Sequence, residues 1–190
     1  MKYRSRKLAL LVGCILLAFI ALLVTAKNDP DGQGESQLVG RPAPSVNPVD
    51  DNGDPIQMTD TKGRSFDLDS YRGKWVLLNF FATWCVPCQI EHPELVAFSE
   101  AHATAGDAAV VSVAYDDSAE KISEFFENNG GDWAVVSTGA DDFSLEYGVV
   151  RLPESYLIDP SGLIVHKFVG GLTADSIEAE MERATQETDR

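Results

Sequence analysis

Trp75-Val-Leu-Leu-Asn-Phe-Phe-Ala-Thr-Trp-Cys85-Val-Pro-Cys88-Gln-Ile-Glu-His-Pro-Glu-Leu95 is the stretch on which the reading of this 190-residue chain turns. It begins as a continuous apolar run, the pattern of a strand buried on both faces. It breaks at Thr83-Trp84 and resumes with helical spacing. Cys85 and Cys88 fall at the break. A helix starting there puts both sulfurs on its first turn and on one face. The unpaired N–H groups and the positive end of the helix dipole then point toward Cys85. Both favour a thiolate, the nucleophile of disulfide exchange. Pro87 falls in the first turn, where a missing N–H costs little.

A C-x-x-C pair has two main readings, a redox dithiol or half of a zinc site. A structural zinc site needs four ligands, usually with a second Cys or His pair. The only other cysteine is Cys14, and His92, His102 and His166 show no paired spacing. The strand-to-helix setting favours the redox reading. A purely structural disulfide is the plain alternative, but so short a loop restrains the unfolded chain little.

Asn79-Phe-Phe-Ala-Thr-Trp-Cys-Val-Pro-Cys88 resembles the active-site segment of thioredoxin-like proteins. Within them the chain is similar to the membrane-anchored TlpA/ResA/CcmG (DsbE) group of extracytoplasmic thiol-disulfide oxidoreductases. Val39-Gly-Arg-Pro-Ala-Pro44 resembles that group's entry segment. Gly63-Arg-Ser-Phe-Asp-Leu68 with Tyr71-Arg-Gly-Lys74 resembles its lead-in hairpin. Tyr147-Gly-Val-Val-Arg-Leu-Pro-Glu-Ser-Tyr-Leu-Ile-Asp159 resembles its cis-proline segment. The likeness spans about residues 38 to 185.

The first seven residues carry Lys2, Arg4, Arg6 and Lys7 and no acid, and Leu8 to Thr25 is an uncharged apolar run of 18 residues. That is close to the minimum for a membrane-spanning helix. The expected organisation is a cytoplasmic basic segment at residues 1–7, an anchor at 8–26, a linker at 27–37 and a thioredoxin-like domain at 38–190. The basic flank puts the N-terminus inside and the domain outside the membrane. A cleaved signal peptide ending near Val24-Thr-Ala26 is the rival reading. Leu11-Val-Gly-Cys14 resembles a lipoprotein box, but apolar residues continue past it, and Cys14 reads as a membrane-helix residue. Beyond the basic flank, 11 basic face 30 acidic residues. That excess argues against nucleic-acid binding, which needs a basic face.

In chain order, Lys27 to Gln37 reads as a flexible tether, and Arg41-Pro-Ala-Pro-Ser as an extended run onto the domain. Ile56 to Thr59 and Ser65 to Leu68 flank a turn signal and predict a small hairpin. Lys74 to Phe81 and Ala108 to Tyr115 are strands. A helix runs from about Cys85 to His102, with Pro93 inside it as a source of a kink. Ser118 caps a helix through Asn128, with Ile122, Phe125 and Phe126 as core. Trp133 to Ser137 is a short strand and Asp141 to Tyr147 a short helix. Ser155 to Asp159 and Leu163 to Phe168 form a hairpin. Thr173 caps a last helix to about Thr185, and Glu187 to Arg190 should fray. The expected class is α/β: a thioredoxin fold, with a central mixed sheet flanked by helices, an N-terminal hairpin and a central strand-helix insertion.

Cys85 is the expected attacking thiol and Cys88 the resolving one. Trp84 is expected to cover Cys85 as a contact surface, or else simply to pack. Sequence alone makes Pro153 an ordinary trans proline at a strand start. The resemblance implies instead a cis peptide after Leu152, facing the cysteines and leaving the Leu152 backbone free to pair with substrate. Glu91 shares the helix face of Cys88. Partly buried, it would have a raised pKa and could carry the proton of the resolving thiol. The resemblance also implies this tuning role, against the alternative of a solvated acid. His92 reads as a surface residue. Glu154 is a second acid near the site, where the CcmG-like branch shows a Pro-Glu pair. Asn79 stands where ordinary thioredoxins carry a buried acid, which gives Glu91 more weight. Val86 departs from relatives with Glu between the cysteines.

No cofactor and no metal is expected beyond the dithiol. The resemblance implies a reductant of disulfides in exported proteins, with apocytochrome c as the best-supported substrate class and a membrane electron donor as the recharging partner. A general oxidant is the runner-up. A hydroperoxide-reducing peroxidase is a further alternative, but Leu78 and Ala82 stand where its Pro and Thr belong. A copper carrier is another, with more widely spaced cysteines in proteins of that kind.

Overall fold

The computed structural model describes residues 36–188, except residues 47 and 51. The expected basic segment at 1–7, the anchor at 8–26, Cys14 and linker residues 27–35 lie outside the described residues. Among the described residues no helix is long and apolar enough to cross a membrane.

Six strands, β1 (Thr59–Asp60), β2 (Trp75–Phe81), β3 (Ala108–Ala114), β4 (Ala134–Thr138), β5 (Glu154–Ile158) and β6 (Ile164–Val169), form one sheet in the order β1-β4-β3-β2-β5-β6. The helices are α1 (Val86–His102), α2 (Ala119–Asn129), α3 (Ala140–Glu146) and α4 (Ala174–Thr188). β2, β3 and β4 run parallel, while β5, β6 and β1 are antiparallel to their neighbours. The mixed sheet is as expected, and α2, β4 and α3 fill the stretch from Ser118 to Tyr147 where the resemblance implies the strand-helix insertion.

The apolar run of β2 is explained by its place between two cores. Val76, Leu78 and Phe80 pack on one face with Phe143 of α3 and Tyr147 beyond it. On the other face Leu77 meets Leu95 and Phe98 of α1 and Ile177 and Met181 of α4. Phe81 meets Ile122 of α2. Each of these large side chains contributes about 1.5–3 kcal/mol by leaving water. This two-sided burial fixes the C-terminal end of β2, and therefore the start of α1.

Asn79 interrupts the apolar run at the centre of the sheet. It pairs in register with Ser112 of β3 on one side and with Ser155 of β5 on the other. Three polar side chains thus lie side by side across the three central strands, all buried.

The extended run at residues 40–43 lies along β6. Gly40 N–H donates to Ile164 O at 2.8 Å, and Ile164 N–H donates to Arg41 O at 2.9 Å. This covers an edge that would otherwise expose unpaired backbone groups.

The N-terminal hairpin is short: Thr59 and Ser65 bridge antiparallel, with Asp60 N–H donating to Arg64 O and Phe66 N–H to Met58 O, each at 2.9 Å. The Asp60 carboxylate takes the turn's N–H groups from Lys62 and Arg64, each at 2.9 Å, and Thr59–Asp60 also pair with β4 on their other side. One boundary is corrected, that of the last helix. The last helix reaches Thr188 rather than ending near Thr185. Gln186, Glu187 and Thr188 include neither Gly nor Pro, so nothing stops the helix there.

Candidate active site

Cys85 is the N-cap of α1, with φ −82° and ψ 106°, and its Sγ accepts a hydrogen bond from the Cys88 N–H at 3.3 Å. Cys85 and Cys88 are joined by a disulfide, with Cα atoms 5.2 Å apart. Both are buried. Pro87 lies in the first turn, and Pro93 is accommodated inside the helix. On reduction the same N–H and the helix dipole favour negative charge on Cys85.

The segment before the cysteines is held by the loop after β3. Thr83 N–H donates to the Asp117 carboxylate at 2.7 Å, and Trp84 Nε1–H donates to Asp116 O at 3.2 Å. Gln89 of α1 closes the other side, donating to Thr83 O at 2.7 Å. Trp84 is therefore fixed by its edge while 56% of it stays exposed. Val86 beside it is exposed as well.

The Leu152–Pro153 peptide is cis. Leu152 packs against the cluster that contains Phe81, Ala82, Cys85 and Cys88. Pro153 O accepts from Gly170 N–H at 3.0 Å, whereas among the described residues Leu152 makes no backbone hydrogen bond. The fold thus brings Cys85, Cys88 and Leu152 into one packed cluster, with Pro153 following Leu152 in the chain.

Glu91 is only 2% exposed. Its Oε1 accepts from Asn79 Nδ2 at 2.8 Å and its Oε2 from Leu172 N–H at 3.3 Å. Burial pushes its pKa up from 4.5 to about 7, and the two donors offset only part of that effect. The carboxyl thus gains and loses a proton near neutral pH, one turn along α1 from Cys88. It also ties stability to pH. The folded state binds the Glu91 proton more tightly than the unfolded chain does. The contribution is therefore full below pH 4.5 and is lost as pH rises through about 7. The size of the loss is on the order of 3 kcal/mol. In denaturant titrations from pH 4 to 8, Glu91→Gln is expected to flatten this fall; an equal fall in both proteins would contradict the buried titration.

Glu154 is fully buried, and its Oε2 lies 2.8 Å from Lys167 Nζ on the neighbouring strand. Neither carboxylate oxygen has a well-aligned hydrogen bond. The lysine therefore acts on it as a charge, and its Nζ also stands 5.1 Å from the centre of the Tyr156 ring.

His92 corrects the surface reading, being 3% exposed. Its Nε2 pairs with Gly130 O at 2.9 Å, and its ring packs against Phe125, Phe126 and Trp133. Burial holds its pKa below the usual value, so the ring stays neutral. The sequence reading also passed over Ser112, Ser155 and Lys167. The available signal was strongest for Ser112, the one polar residue of the otherwise apolar β3.

A redox-active cysteine pair at the cap of the helix that follows the central strand of this sheet defines a thiol-disulfide oxidoreductase. The chain belongs to the Redoxin family, whose model matches residues 38–184. It is similar to the thiol:disulfide interchange protein DsbE of Escherichia coli K12, 31% identical over 94% of this chain and 93% of that one. It is also similar to the thiol-disulfide oxidoreductase ResA of Bacillus subtilis, 30% identical over 94% of this chain and 93% of the relative. Among solved structures, a thioredoxin-family thiol:disulfide interchange protein from Chlorobium tepidum superposes with a TM-score of 0.61 at 26% identity. That match covers 75% of this chain and 94% of the other.

Proposed function

We propose that the chain is a membrane-tethered reductant that opens disulfides in exported proteins, with apocytochrome c the preferred substrate class. The observation that carries this reading is the Cys85–Cys88 pair at the cap of α1, with the titrating Glu91 one turn further on. Cys85 attacks a substrate disulfide as the thiolate and forms a mixed disulfide. Cys88 then attacks Cys85 Sγ, releases the substrate thiol and leaves the Cys85–Cys88 disulfide. Glu91 takes the Cys88 proton in that second step. Trp84, Leu152 and Pro153 form the docking surface, with the Leu152 backbone pairing to an extended substrate strand. A membrane electron donor returns two electrons to the pair. Residues 8–26 hold the domain at the outer face of the membrane. The similarity to DsbE and ResA supports this reading.

One observation favours the runner-up, a disulfide donor. The N–H bond from Cys88 to Cys85 Sγ would stabilise a thiolate, and stabilising the reduced form makes a dithiol protein more oxidising. A disulfide-bonded Cys-x-x-Cys-His peptide decides between them. With the reduced protein, the peptide is expected to emerge as the dithiol, measured by mass spectrometry after acid quench and alkylation. If the oxidised protein instead converts the reduced peptide to its disulfide to completion, the reductant reading is wrong.

A further inference from the structure

We propose that Asn79 is a positioning residue for Glu91, and that a buried hydrogen-bond chain from Trp133 through Ser112 fixes its amide so that the NH2 group, not the oxygen, faces the carboxyl. The proposal deepens the proposed function and rests on it for the role of Glu91 in exchange.

The argument begins at the end of the chain that has no freedom. Trp133 Nε1 can only donate, and its partner at 2.9 Å is Ser112 Oγ. The serine oxygen is therefore an acceptor on that side, and its own proton goes to Asn79 Oδ1 at 3.5 Å. This orients the amide. Nδ2 must then face the other way, where it meets Glu91 Oε1 at 2.8 Å and Ser155 Oγ at 3.0 Å. A flipped amide would take the acceptor away from the Ser112 hydroxyl proton and set two oxygens against each other at Glu91.

The chain is shielded from bulk solvent, since Asn79, Ser112 and Ser155 are each 1% exposed. The indole is placed by Gly131, whose φ is +90° and whose added Cβ would lie 2.7 Å from the Trp133 ring. Leu172 N–H supplies the second donor to Glu91. Each carboxyl oxygen thus faces one fixed N–H that cannot accept a proton. A proton arriving on Glu91 must occupy the remaining lone pairs, away from Asn79 and Leu172. Cys88 is the thiol on that helix face.

The other titratable groups nearby have separate partners. His92 is bound to Gly130 O, and Glu94 Oε2 accepts from Ala174 N–H at 3.0 Å. No charged side chain pairs with Glu91 among the described residues. The orientation of Asn79 is accordingly the main side-chain control on where the Glu91 proton sits.

The test is a titration of Glu91 by carboxyl-carbon NMR, run with the pH profile of dithiothreitol oxidation by the full chain. Asn79→Asp puts a carboxyl where the donor stood. It is expected to raise the Glu91 titration on the order of one pH unit and to move the rate profile with it. Ser112→Ala frees the amide but keeps the donor, and is expected to shift both the same way by less. In a Glu91→Gln background neither substitution should move the profile. A Glu91 titration unmoved in both variants overturns the positioning role. So does an equal shift of the profile in the Glu91→Gln background. A shifted titration with a fixed profile upholds the positioning role and counts only against the part of Glu91 in exchange.

Discussion

Cys85→Ser is expected to reduce thiol–disulfide exchange to background, while Cys88→Ser leaves the first attack intact and accumulates mixed disulfides. The asymmetry follows from the cap. Cys85 Sγ faces the N–H of Cys88 at the positive end of α1. Cys88 lies within the first turn and is more deeply covered. A hydroxyl at position 85 supplies no thiolate, so no mixed disulfide forms. A hydroxyl at position 88 cannot resolve one, so the adduct persists until external thiol removes it. Non-reducing electrophoresis with a disulfide-bonded peptide reads both outcomes. Adducts on Cys85→Ser but not on Cys88→Ser would reverse the two roles.

Lys167→Met is expected to lower the stability of the folded domain by about 3–5 kcal/mol. It removes the one cation that, among the described residues, pairs with the fully buried Glu154, at 2.8 Å. The native pair itself is not a large source of stability, since desolvating two charges offsets most of their attraction. The discriminating control is therefore Glu154→Leu combined with Lys167→Met. Replacing both charges by apolar groups is expected to recover most of the loss, with the denaturant midpoint as the readout. A single variant within about 1 kcal/mol of the parent would match a solvated surface pair and would contradict the burial of Glu154. The pair bears on function through its place, because Glu154 follows Pro153 directly and any movement of it moves the loop beside the disulfide.

Much of this was legible along the chain because its causes are local. The apolar run of β2, the break at Thr83-Trp84 and the Cys85–Cys88 spacing are neighbours in sequence, and together they place the cysteines at a helix cap. Ser118 does cap α2. The cis peptide at Pro153 was legible only through resemblance, since local preference alone favours trans. The burial of His92 was not legible. Its partners Phe125, Phe126, Gly130 and Trp133 arrive from α2 and the residues that follow. The hairpin near Asp60 was legible from its turn signal, and the Asp60 side chain closes that turn by accepting from Lys62 and Arg64. Asn79 was singled out only through the resemblance, and nothing along the chain linked it to Ser112 or Ser155. Only the sheet register shows them as neighbours.

The equilibrium reduction potential of the Cys85–Cys88 pair, measured against glutathione or dithiothreitol, tests the central claim most directly. A reductant of exported proteins is expected to show a single two-electron transition at or below about −270 mV, the range of thioredoxin. A midpoint near about −120 mV, at the oxidising end, would make the protein a disulfide donor and contradict the reductant reading. No measurable couple would contradict the assignment of a working dithiol altogether.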